Sequence, residues 1–122
     1  MNEMPEIMRL AAGMARQAAT RQAVIATNVA NADTPGYRAR DMATFSPDDG
    51  LALRRTHARH LTGPEGTARP RILHDVPADP NGNTVSLEDQ VLRGIEAARH
   101  HDRALTVYRS ALGMMRAGLG RG

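Results

Sequence analysis

The sequence contains no cysteine, no lysine and no tryptophan, and its only aromatic residues are Tyr37, Phe45 and Tyr108. Lack of cysteine excludes disulfides and thiol chemistry and leaves the redox compartment open. Lack of large rings means that any core must be built from aliphatic and small side chains. Much of the 41% hydrophobic content is alanine, which buries little area at about 25 cal/mol per Å². A chain of 122 residues built this way is expected to be a marginal monomer, or one that needs neighbours. The cations are sixteen arginines set against thirteen acidic residues, for a net charge of +3. Their scatter, with so few aromatics to stack on bases, does not describe a nucleic-acid groove. No run approaches the ~20 apolar residues of a membrane span. The opening "MNEMPEIMRL" has neither the basic region nor the apolar region of a cleaved secretory signal.

Signs of catalysis are missing too. There is no G-x-S-x-G elbow, P-loop or H-E-x-x-H helix, and Ser46, Ser86 and Ser110 have no nucleophile context. "DPNGNTVSLEDQ" (79–90) mimics a calcium loop, but its glycine, Gly82, stands fourth and Gln90 stands where a glutamate is required. It reads instead as a turn leading to a helix cap at Ser86. His57 and His60 lie in the arginine-rich "RRTHARHL", and His100 and His101 are adjacent on a helix, so no metal set converges. Arg54, Arg55, Arg59, Arg69 and Arg71 read as a solvated basic loop. The residues therefore point to no enzyme, no cofactor and no metal.

What the sequence does have is two helical patterns around an irregular middle. In the first, Met4, Ile7, Ala11, Met14, Ala18 and Ile25 recur near every 3.5 residues; Arg21 interrupts the seam and Asn28 ends it. Pro5 suits a first turn, and a helix is predicted from about Pro5 to Ala30. In the second, Ser86 with Asp89 forms a capping box, and the stripe runs through Val91, Ile95, Ala98, Leu105, Leu112, Met115 and Leu119, broken by Asp102. Asp89 with Arg93 and Glu96 with Arg99 are spaced as solvated helix pairs. Narrow stripes of this kind suit a coiled-coil seam, and the seam residues are taken as Ile7, Met14, Ile25, Val91, Ile95, Leu105, Leu112 and Met115. The fold class is mainly α: long N- and C-terminal helices pairing as a hairpin or coiled coil. The organisation is one structural unit: 1–42 as helix plus turn, 43–84 as an irregular middle, 85–122 as the second helix. Within the middle, "LAL" (51–53) and "RIL" (71–73) are short enough to pair as minor strands.

The most distinctive stretch is "NVANADTPGY" (28–37). Asn28 and Asn31 lie on one side of the last helical turn, where their amides can meet orphaned carbonyls or a neighbouring backbone. Thr34, Pro35, Gly36 and Tyr37 fit a type II turn, with proline presetting φ and glycine supplying a positive φ. Tyr37 then leaves in an extended direction. A helix cap and turn explain the bend, but not why two amides, a Pro-Gly pair and an aromatic coincide there.

The stretch matches every fixed position of N-[IVL]-A-N-x-x-T-x-G-[YF], and so resembles the bacterial flagellar rod, hook and hook-associated axial proteins. "YRARD", "RRTHARHL" and "NGNTVSLEDQV" extend the resemblance from residue 17 to about residue 112, toward the short subunits of the proximal rod. The resemblance implies a structural subunit of a helical drive shaft that transmits torque. It also implies export from the cytoplasm by the flagellar type III apparatus without a cleaved signal. The implied location is the basal body, on the periplasmic side of the inner membrane. The implied partners are copies of itself, other rod subunits, a FliE-type adaptor, the membrane ring and the export gate; no nucleic acid or small-molecule substrate is implied. Asn28, Asn31, Thr34, Pro35, Gly36 and Tyr37 would form the assembly signature, with Asn28 and Asn31 expected to bond across subunits. The alternatives are another rod subunit, or a small helical module that binds nucleic acid or protein.

Overall fold

A computed structural model describes residues 3–45 and 69–120. The element order is α1 (Glu3–Ala30), β1 (Arg40–Asp41), β2 (Arg71–Ile72) and α2 (Leu87–Leu119). At about 1.5 Å per residue the helices are roughly 42 and 50 Å long. Helix α2 starts as its cap sequence predicts: Ser86 is extended and its hydroxyl accepts the Asp89 N–H at 3.4 Å. Glu88 and Asp89 occupy the first turn, where the positive end of the helix dipole favours acids.

The helices pack side by side and antiparallel. Asn28 meets Gln90 at one end, Arg21 meets Glu96 further along, and Ala12 and Leu105 line one depression beyond them. Between the helices the buried residues recur every seven positions: Ala11, Ala18 and Ile25 on α1, with Gln90, Ala97, Ala104 and Ala111 on α2. That heptad makes a coiled-coil seam, and alanine lets the axes approach toward the short end of the usual ~8–10 Å range.

The seam on α2 is one residue away from the stripe read in the sequence. Val91 is 61% exposed and Ile95 47%, whereas Ala97 is 0% exposed. Leu105, Leu112 and Met115 are half-buried flanks; on α1, Ile25 is buried, Met14 is half-buried and Ile7 is exposed. The physical reason is close approach. The largest apolar residues attract the eye in a sequence, but a tight helix pair seats its smallest ones and turns their neighbours about 100° outward.

Between the helices the chain forms an arm across one flank. β1 pairs antiparallel with β2, Arg40 opposite Ile72 and Asp41 opposite Arg71, so "RIL" does pair, with the segment after the turn. Gln17 Nε2 donates to Ala43 O at 2.6 Å, and Phe45 lies over Gly13, where an added Cβ would stand 3.7 Å from the ring. "LAL", the two histidines of "RRTHARHL" and Arg54, Arg55 and Arg59 lie outside the described residues.

This packing predicts opposite responses to two substitutions. Ala97→Leu overfills the seam and is expected to destabilise the chain by about 1–3 kcal/mol. Val91→Ser removes exposed apolar surface and is expected to stay within about 0.5 kcal/mol. Urea titration followed by circular dichroism checks both.

Candidate functional site

The two asparagines mark the end of α1, and the structure shows why an amide is needed at the first. Asn28 is 0% exposed. Its Nδ2 donates to Arg40 O at 2.7 Å and to Gln90 Oε1 at 2.9 Å. Its Oδ1 accepts the Arg40 N–H at 3.1 Å and the Tyr37 hydroxyl at 3.0 Å. All four hydrogen-bonding functions of the amide are thus used within one chain, joining α1, the arm and α2. The expectation that Asn28 bonds across subunits is corrected: it has no capacity left for a neighbour.

Asn31 works locally. Its backbone N–H reaches Thr27 O and Asn28 O, its Nδ2 donates to Thr27 O at 2.8 Å, and its Oδ1 accepts from Thr34 Oγ1 at 3.2 Å. Its side chain therefore adds a second donor to the Thr27 carbonyl in the last turn of α1. The turn beyond it is type II: Tyr37 N–H donates to Thr34 O at 3.2 Å and Gly36 has φ 72°.

A second loop clasps this turn. Gly36 N–H donates to Asn81 O at 3.0 Å and Thr84 N–H to Tyr37 O at 3.0 Å. Ala39 N–H donates to Thr84 Oγ1 at 2.7 Å. Asn83, 1% exposed, sends Nδ2 to Asn31 O at 2.9 Å and Thr34 O at 2.7 Å, while its Oδ1 holds the Val85 N–H. The loops touch backbone to backbone, since a Cβ on Gly82, itself at φ 84°, would stand 3.4 Å from the Gly36 Cα. The alternating asparagines that resemble a calcium loop serve this clasp.

Below the corner sits a charged cluster. Asp41 is buried and takes a bidentate pair from Arg21, Nε to Oδ1 at 2.9 Å and Nη2 to Oδ2 at 3.1 Å. The Arg93 guanidinium binds Oδ2, and the Met42 N–H donates to Oδ1 at 2.7 Å. Burial pushes the Asp41 carboxyl upward, but hydrogen bonds from Arg21, Met42 and Arg93 and the charge of Arg21 outweigh it, so its pKa lies below the ordinary 3.8. Arg21 is raised, chiefly by its hydrogen bond to Asp41. Arg93, which burial pulls down, is raised on balance by Asp89 and Asp41. Arg93 also binds Asp89 at 2.8 Å, and Glu96 meets Arg21 at 3.4 Å. The Asp89–Arg93 pair is therefore the part-exposed edge of a network that reaches the buried Asp41. Arg21, which breaks the apolar stripe, is the hinge pin of the arm.

Nothing in this arrangement resembles a nucleophile with its base. It holds three chain segments at fixed angles. Residues 8–38, most of α1 and the turn, match the family described as flagella basal body rod protein. The chain is 34% identical over 113 residues to the flagellar basal body rod protein FlgB of Salmonella typhimurium, covering 80% of this chain and 81% of that one. The chain belongs to the FlgB family. FlgB of Agrobacterium fabrum is 28% identical with 90% of each chain covered, and FlgB of Yersinia enterocolitica 33% identical over 73% and 75%. As a FlgB-family member this is a structural rod protein of the flagellar basal body and not an enzyme. Among the described residues no helix is long and apolar enough to cross a membrane.

Sequence reasoning named the six signature residues but missed Asn83, Gln90, Arg21 and Asp41. The structure brings Asn28, Asn31, Thr34, Gly36 and Tyr37 together at one corner; Pro35 is exposed at the turn's tip. The available signal was polarity at helical positions where an apolar residue was due, at Arg21 and at Gln90.

Asn28→Ala orphans the Gln90 and Tyr37 groups and the Arg40 peptide at about 1–3 kcal/mol each. A loss of at least about 2 kcal/mol in chemical denaturation is expected. Asn28→Asp, which cannot donate, is expected to be no better. The Asp41 pKa is depressed, so its contribution is complete above the ordinary value and is lost as pH falls through the folded value. Denaturation midpoints are expected to fall in acid below about pH 4, and Asp41→Asn to flatten that dependence.

Proposed function

We propose that this FlgB-family chain is a subunit of the proximal rod. It assembles there with copies of itself and other rod subunits into a helical shaft that transmits torque. Its neighbours at the base are the FliE-type adaptor, the membrane ring and the export gate. The chain reaches that place through the flagellar type III apparatus without a cleaved signal. One observation carries this reading. The signature corner is closed on itself by buried hydrogen bonds, so it sets a rigid angle between α1, arm and α2 while large apolar side chains of both helices remain outward. A torque-bearing subunit needs a fixed internal geometry and faces kept for its neighbours.

The alanine seam supports a further part of the reading. Ordering each residue costs about 1–2 kcal/mol, and alanines return little of it, so contacts with neighbours supply the remainder on assembly.

Complementation of a rod-subunit deletion strain tests the role of the corner. Gly36→Val forces a β-branched residue to φ 72°, at a strain of about 1–3 kcal/mol, and is expected to abolish rods and swimming. Asn31→Ala removes one side-chain donor and is expected to reduce swimming. Normal rods and motility with both variants would remove the corner from the assembly mechanism.

A further inference from the structure

Size is distributed inside out along this hairpin. The seam is mostly alanine, whereas Leu87, Val91 and Ile95 on α2 stand 55%, 61% and 47% exposed. They recur every fourth residue and make one ridge. On α1, over the same half of the hairpin, the exposed residues include, beside Gln22 and Val29, a row of small ones: Ala19, Ala23, Ala26 and Ala30. Their spacing of four, three and four makes a smooth strip. Both rows lie roughly 80–180° around their helices from the seam, on the outer edges and turned from the flank that carries Gln17, Arg21, Arg93 and the arm.

Ridge and strip also lie at one height. The pairs Asn28–Gln90 and Arg21–Glu96 set the antiparallel register. Continued along the hairpin, it puts Ile95 level with Ala23 and Val91 level with Ala26 and Thr27. The same register puts Asp102, the one acid in the α2 stripe, level with Arg16 on the outer edge of α1. Both are exposed and neither has an ionic partner among the described residues.

We propose that the occupant of the ridge is a second copy of this chain. The ridge of one copy seats in the alanine strip of the next, with Asp102 facing the neighbour's Arg16. The inference rests on the reading of the chain as a rod subunit and names the contact that reading requires. A copy displaced sideways, with its axis parallel, brings large residues against small ones and an acid against a base. The contact is heterologous: in a pair one copy keeps its ridge unused and the other its strip, so association continues beyond a dimer.

The absence of cysteine makes a direct test available. In the Ala23→Cys/Ile95→Cys double variant the two thiols stand on opposite outer edges of one chain, beyond the ~7 Å Cα reach of a disulfide. Mild oxidation of the purified full chain is expected to give a ladder of multimers, and neither single variant is expected to give one. Asp102→Arg is expected to weaken self-association about three- to tenfold, and addition of Arg16→Asp to restore it. Circular dichroism verifies that each variant keeps its helices. No ladder, dimers from the single variants alone, or cross-links solely to a different rod subunit in isolated basal bodies would each overturn the self-contact. Those outcomes leave the rod reading standing if the double variant still restores swimming under reducing conditions. Failure of the unsubstituted chain to restore a rod would sink that reading separately.

Discussion

A primary amide carries two donor hydrogens and one oxygen with two lone pairs, and at Asn28 all of them are spent in the interior. The donors go to the Arg40 carbonyl and Gln90, and the acceptor takes the Arg40 N–H and the Tyr37 hydroxyl. Those partners belong to the arm and to α2, so one side chain fixes where the chain goes after the first helix and where the last helix must lie. Aspartate would repel Gln90 Oε1 for want of a hydrogen. Glutamine would overreach by a methylene. Buried polar groups are costly to leave unpaired, and this is what makes the four bonds of Asn28 specify one arrangement.

The Asp41 cluster ties the same three segments at a second point, using Arg21 from α1 and Arg93 from α2. Buried ion pairs contribute modestly to net stability, because desolvation offsets attraction, but breaking one partner leaves an uncompensated charge. Together with an alanine seam, this means that register and angle are held mainly by polar groups. Apolar area, the usual source of cohesion, is instead carried on the outside of the helices.

Local features were legible in the sequence. The Ser86 cap, the positive φ of Gly36, the end of α1 at Ala30 and the antiparallel helix pair all follow from residues within a few positions of one another, or from a repeat sustained over many turns. The seam on α2 was displaced by one residue, because hydrophobic size favours Val91 over Gln90, whereas the packed face seats Gln90 with Ala97, Ala104 and Ala111. Asn83 and Asp41 were not legible as structural centres. Their partners lie 49 to 52 residues away for Asn83 and 20 and 52 residues away for Asp41. Nothing in a window of local sequence distinguishes an asparagine in a turn from one buried under another loop. The signature drew notice by its composition, yet the internal hydrogen bonds of Asn28 needed coordinates.

The bond between Asn28 and Gln90 spans 62 positions of the chain. No N-terminal fragment that stops short of Gln90 can complete the corner. Were the chain drawn lengthwise through a passage too narrow for a hairpin, that amide would travel unpaired and the corner would close only beyond the exit, once Gln90 was through.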